Sequence, residues 1–261
     1  MIRPGLVSIS FRKLSPADLV DAARACGLLG IEWGGDVHVP HGDLARAGEV
    51  RRLTESAGLA CAAYGSYYRA GEASPTAQQA LGCARALGTR VLRVWAGGRA
   101  SKDADAGYRT LVRDDLLRLA DDAGHDGITV ATEYHGGTLT DDIDSCLALL
   151  DAAPHPFLRT YWQPAVGLSH AEALQTLERV LPRLAGLHVY HWRSVAERLP
   201  LEAGAASWKA YLAAASRAPG AAWALLEFIP HDRLDALGQE AASLIRFLGA
   251  TGNVQGAKHG E

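Results

Sequence analysis

Short runs of β-branched, aromatic and aliphatic residues recur along the chain: LVSISF (6–11), LGIEWG (29–34), LACAAYG (59–65), RVLRVWAG (90–97), ITVATEY (128–134), LRTYWQP (158–164), LAGLHVYHW (184–192) and AWALLEFIP (222–230). Each has the length and composition of a strand. Between them lie Ala-, Leu-, Arg- and Asp-rich stretches with helical spacing, such as SPADLVDAARACG (15–27), DDLLRLADDAG (114–124) and SHAEALQTLERVL (169–181). In the first of these Ser15 can cap, Pro16 suits the first turn and Gly27 closes the end. Eight strands alternating with eight helices through short connections predict parallel pairing by right-handed crossovers.

The length of 261 residues suits a closed (β/α)8 barrel. An open doubly wound sheet would carry a Gly-rich phosphate loop after its first strand, and SISFRKLSP (8–16) has no glycine. The expectation is one α/β barrel domain over 1–250, followed by a flexible tail over 251–261. Composition adds little to this picture: 48% hydrophobic and 21% charged residues exclude disorder as the main state. A formal net charge of −3 gives no electrostatic reason to bind a nucleic acid. The four cysteines, Cys26, Cys61, Cys83 and Cys146, form no CxxC pair and read as reduced, buried thiols. The start has no signal-peptide pattern and no stretch approaches a membrane span, so a cytoplasmic protein is expected.

In such barrels chemistry sits at the C-terminal ends of the strands. Those ends carry Glu32 and Trp33; Tyr64, Tyr67 and Tyr68; Arg93 and Trp95; Glu133 and His135; Trp162 and Gln163; His188, Tyr190, His191 and Trp192; and Glu227. The fifth to eighth strands each deliver one oxygen or nitrogen donor: Glu133, Gln163, His188 and Glu227. A lone Glu at a strand end is more often a cap or an ion-pair partner, and a lone His a bonded core residue. Glu133 and Glu227, however, lie deep in apolar runs, where a carboxylate must be paired, protonated or bound to a metal. Neither strand contains Lys or Arg, which makes one divalent cation (Mn, Mg, Co or Zn) an economical partner for both.

Several stretches resemble the xylose-isomerase-like TIM barrels, especially the sugar phosphate isomerase/epimerase group: GIEWGGDVH (30–38), EYHGGTLTDD (133–142), YWQP (161–164), LHVYHW (187–192), LPLEAGAASWKAYL (199–212) and LEF (226–228). The resemblance covers most of the chain. It implies one divalent metal bound through Glu, Asp, His and Glu, here Glu133, Gln163, His188 and Glu227. Gln163 departs from the pattern. It would offer a neutral carbonyl oxygen, lowering metal affinity and leaving the metal a stronger Lewis acid; alternatively the site has decayed and Gln163 only hydrogen-bonds within it.

The implied chemistry is proton abstraction alpha to a carbonyl through a metal-stabilised enediolate, with Glu133 and Glu227 moving the proton while ligating the metal. His135 could position a hydroxyl. Trp33, Trp95, Trp162 and Tyr64 could stack on a sugar-like substrate, or simply pack the barrel. Arg93, Arg193 and Arg198 could hold an anionic tail or form rim ion pairs, and His191 is a weaker candidate for the site. The expected function is a metal-dependent isomerase or epimerase of a sugar or sugar derivative, with a leaning towards a homo-oligomer and no nucleic-acid or membrane partner. The alternatives are a related lyase or dehydratase on an inositol-like or keto-sugar substrate, and a metal-free ligand-binding barrel. The endonucleases of the same fold carry a His three residues after the strand-six Asp, and here those positions are Val166 and Gln163.

Overall fold

The computed structural model describes residues 1–73, 75–194 and 196–256. Eight parallel strands close into a barrel: β1 (Arg3–Val7), β2 (Gly30–Gly34), β3 (Ala60–Arg69), β4 (Val91–Trp95), β5 (Thr129–Thr132), β6 (Leu158–Trp162), β7 (Leu184–Val189) and β10 (Trp223–Leu226). β8 (His191–Ser194) and β9 (Glu197–Leu199) form a separate antiparallel hairpin. The helices are α1 (Pro16–Ala25), α2 (Leu44–Ser56), α3 (Ala77–Leu87), α4 (Ala106–Gly124), α5 (Ile143–Ala152), α6 (His170–Val180), α7 (Ala205–Ala215) and α8 (Leu237–Gly256). The expected (β/α)8 barrel is therefore what forms. The tail expected over 251–261 begins inside α8, and residues 257–261 lie outside the described residues. Among the described residues no helix is long and apolar enough to cross a membrane.

Three strands depart most from the hydrophobic pattern, β3 by running on past residue 65 to Arg69. β1 starts at Arg3 and ends at Val7, where the chain tightens into a 3-10 turn over Ser8–Phe11. The pattern missed Pro4 and Gly5, yet Gly5 is needed there: a Cβ would stand 2.6 Å from the Leu225 side chain and 2.7 Å from the Gly30 carbonyl oxygen. β7 ends at Val189, and the apolar run continues as the hairpin.

Strand parity separates two environments. Trp33, Tyr64 and Trp162 point outward into the apolar layer between barrel and helices, where all three are fully buried. The barrel interior holds a smaller cluster that includes Val7, Ala131, Tyr161, Trp223 and Leu225. The cysteines are free; Cys83 and Cys146 are buried, whereas Cys26 and Cys61 are only half-buried.

Candidate metal centre

Above that interior cluster lies a layer of charge. Glu32 (β2), Arg93 (β4) and His188 (β7), with Glu133, Gln163 and Glu227 just past the ends of β5, β6 and β10, are all buried. They share the inward parity that Trp33, Tyr64 and Trp162 lack. His188 Nδ1 is the focus: Gln163 Oε1 lies 3.1 Å away, Glu227 Oε2 3.4 Å and Glu133 Oε1 3.5 Å. On the other edge of the ring, His188 Nε2 faces Glu32 Oε2 at 3.4 Å, a contact that can hold the imidazole with Nδ1 towards the cluster. Gln163 is oriented by its own amide, since Nε2 donates to the Tyr134 carbonyl at 2.9 Å and turns Oε1 inward. The four donors expected from the sequence thus converge.

The two glutamates are not equivalent. Glu133 Oε2 accepts from Trp95 Nε1 at 2.7 Å and from Arg93 Nη1. Glu227 Oε2 is buried and makes no hydrogen bond. Burial works against ionising Glu133, but Arg93 and His188 overcome it and hold the carboxyl well below its usual range. Burial pushes Glu227 up, against the pull of His188. His188, which burial alone would lower, is raised by Glu227 and Glu32.

Sequence reading placed no cation beside these carboxylates because neither of their strands contains one. The cation comes from β4. Arg93 is 2% exposed, bonds Glu32 through Nε at 2.6 Å and also pairs with Glu133, so it is neither on the rim nor free for a substrate tail. Gly65 makes room for it: a Cβ there would lie 2.5 Å from Arg93 Nη2 and 2.8 Å from Glu32 Oε1.

The residues fit a divalent ion. One ligand atom each from Glu133, His188 and Glu227 lie within 4.8 Å of one another, Glu227 Oε2 makes no hydrogen bond, and Gln163 adds an oxygen to the same point. A bound ion would take the place of the His188 proton, and the carboxylates of Glu32, Glu133 and Glu227 against the single Arg93 guanidinium would then leave two negative charges, which a divalent cation balances.

A cavity of about 540 Å³ opens over this cluster, lined by Glu133, His135, Asp141, Gln163, Tyr190 and Phe228 among others. His135 stacks on Trp95, with ring centres 4.7 Å apart and planes at 19°. Tyr190, Trp192 and Phe228 form an aromatic wall with centres 4.7–5.5 Å apart. Other expected substrate contacts lie elsewhere. Trp33 packs edge-on against His38, Tyr64 donates to the Val39 carbonyl at 2.9 Å, and Trp162 donates to Thr176 at 3.0 Å. Arg193 pairs with Glu197 across the hairpin at 2.5 Å. His191 lines a separate cavity of about 330 Å³ beside α6 and α7. Glu32, Tyr190 and Phe228 were not assigned in advance, although Glu32 and Tyr190 stand at strand ends and Phe228 directly follows Glu227.

A sequence profile described as Xylose isomerase-like TIM barrel matches residues 20–249. No curated protein sequence gives a significant match. Among solved structures, a probable 3-DHS dehydratase of petrobactin synthesis from Bacillus anthracis superposes with a TM-score of 0.74 at 20% identity, covering 94% of this chain and 99% of that one. A xylose isomerase-like TIM barrel protein from Mycobacterium smegmatis, crystallised with magnesium, gives 0.74 at 15% identity over 96% and 98% of the two chains. D-psicose 3-epimerase from Clostridium cellulolyticum H10, solved with D-tagatose, gives 0.71 at 12% identity over 96% and 99%. At these identities the likeness establishes the fold.

Proposed function

Because the chain belongs to the xylose isomerase-like TIM barrel family, we propose that it is a metal-dependent isomerase of a sugar or sugar derivative, with Glu227 as the group that carries the proton. The observation behind this reading is the convergence of Glu133, Gln163, His188 and Glu227 beneath one cavity, with Glu227 Oε2 buried and without a hydrogen bond. The magnesium in one structural neighbour and the sugar-acting name of another support it.

A divalent ion held by these four side chains would supply a Lewis acid that polarises a carbonyl and the hydroxyl beside it. The residues divide the remaining work. Glu133 stays ionised, because Arg93 and Trp95 occupy Oε2 and leave Oε1 to face the centre. The oxygen of Glu227 that the ion leaves free removes the proton from the hydroxyl-bearing carbon next to the carbonyl. The C–H electron pair forms a C=C bond as the carbonyl π pair moves to its oxygen, the hydroxyl proton passes to that oxygen, and the same carboxyl returns its proton to the former carbonyl carbon. His135 and Trp95 wall the substrate, and the Tyr190–Trp192–Phe228 face excludes water.

Glu133 is held ionised by Arg93, which leaves Glu227 alone to carry the proton. This suits a proton that leaves and returns on one face better than inversion by two opposed bases, so isomerisation is favoured over epimerisation. The same feature favours, as a second reading, elimination of a β-hydroxyl; a structural neighbour is a probable dehydratase.

The test is a panel of aldoses and ketoses in deuterium oxide with metal-loaded protein, read by NMR and mass. Deuterium beside the carbonyl in an isomeric product that has lost no water, lowered on the order of 10²-fold or more by Glu227→Gln, is the expected result. Loss of water would move the assignment to the dehydratase. No exchange and no retained metal would leave a ligand-binding barrel.

A further inference from the structure

A second cavity, about 520 Å³, lies beside the first and shares the Phe228 wall with it. It is built from the turn after β1, from β9 and from the segment after β10, on the same end of the barrel as the metal centre. Its lining is basic. Arg12, Lys13 and Arg198 come from two separate parts of the chain, and Asp232 is the single carboxylate among them. Arg198 bonds Asp232 at 2.6 Å and lies over the Phe228 ring, 5.0 Å from its centre. Arg12 pairs with Asp36 and donates to the Tyr67 hydroxyl at 3.1 Å. Lys13 is exposed and has no carboxylate partner among the described residues.

One buried donor in this cavity is also unused. Ser10 is 3% exposed, lines the space, and its hydroxyl makes no hydrogen bond. A buried hydroxyl without a partner costs stability unless a ligand or water completes it. Unspent hydroxyl, surplus positive charge and an aromatic divider together describe a pocket for an anion attached to a less polar stem. Anion sites in (β/α)8 barrels are often formed by the loops after the last strands, where part of this one lies.

We propose that this cavity takes the anionic terminus, phosphate or carboxylate, of the substrate whose carbonyl end lies at the metal centre. This rests on the functional reading above for the word substrate, and on the cavity alone for the anion. The anion would face Lys13 and Arg198, accept from the Ser10 hydroxyl, and have its stem against Phe228. Asp232, exposed at the rim, would give up part of its contact with Arg198.

The experiment is calorimetric titration at low ionic strength with inorganic phosphate, D-gluconate, D-fructose and D-fructose 6-phosphate. Wild type, Lys13→Met and Lys13→Met/Arg198→Met are each measured metal-free and metal-loaded. The expected result is that phosphate or gluconate binds metal-free wild type and at least tenfold more weakly to the double variant, with Lys13→Met between them. Which of the two anions binds better identifies the terminus. In metal-loaded protein the phosphorylated sugar, or gluconate, should outbind fructose by a similar factor, and the double variant should erase that preference. Absence of anion binding to wild type, or a preference that survives both substitutions, overturns the proposal. Because the metal-free arm does not involve turnover, anion binding without sugar chemistry would retain the pocket and reject the isomerase, and the reverse pattern would do the opposite.

Discussion

Removing Arg93 would leave Glu32 and Glu133 buried without their cation. Breaking a buried pair in this way costs about 3–5 kcal/mol, so Arg93→Leu should lower the denaturant midpoint far more than any rim substitution. Chemical denaturation checks this, and a near-neutral result would mean water reaches the network. A separate prediction concerns His38, whose Nδ1 can accept from Ser8 while Nε2–H donates to the Leu14 carbonyl. Ser8 Oγ in turn accepts from the Gly34 N–H. Burial lowers the His38 pKa, so below the unfolded value of about 6.5 the unfolded chain binds a proton the folded one refuses. Stability present above that pH is lost as pH falls towards the folded value. Melting of wild type against His38→Gln from about pH 8 to about pH 5 should show the wild-type advantage shrinking. The candidate quartet was legible because each member interrupts an apolar run. Arg93 was not, because pairing across the barrel is invisible within one strand. A parity count from these four would have helped: it puts Glu32, Arg93, Trp95 and His135 inside, and Trp33, Tyr64 and Trp162 outside.

At the scale of elements, the helix signals translated directly. Ser15 caps α1 with a reciprocal capping box, Pro16 opens it, and Gly27 follows in the left-handed region at φ 73°. The run 184–192 was misleading because its apolar pattern continues through a break, and the aromatic residues after Val189 serve the hairpin instead of the barrel. Trp162 illustrates the cost of assigning role by residue type. It packs against Trp208 and Tyr211 at 6.4 and 5.1 Å, joining β6 to α7. Trp162→Ala should therefore destabilise by about 3–5 kcal/mol, while ligand affinity of the protein that remains folded stays within about twofold, since its ring lines no part of the site cavity. A large affinity loss at unchanged stability would return Trp162 to the site.

For the whole molecule, closure of the barrel sets six polar side chains from six strands or their ends facing one another. An ion that binds only this assembled state stabilises by about 2.7 kcal/mol at a hundredfold excess over Kd, or roughly 5–10 °C in a chain of this size. Melting after chelation, then after adding Mn, Co, Mg or Zn singly, should recover such a shift with at least one of them; no shift with any would remove the metal from the reading. The fold was legible because alternation of strand and helix is a chain-long signal, whereas the second cavity arises where three distant turns meet, and no local pattern records that meeting. Phe228 carries a last consequence. It is left-handed, at φ 53°, and is bonded directly to Glu227. A β-branched residue would strain that backbone, and any replacement that shifts it drags the carboxylate along. Laboratory evolution of this barrel towards new substrates would thus meet a fixed point at 228. It should proceed through the turn after β1 or through the hairpin, whose residues can drift without disturbing the reacting atoms.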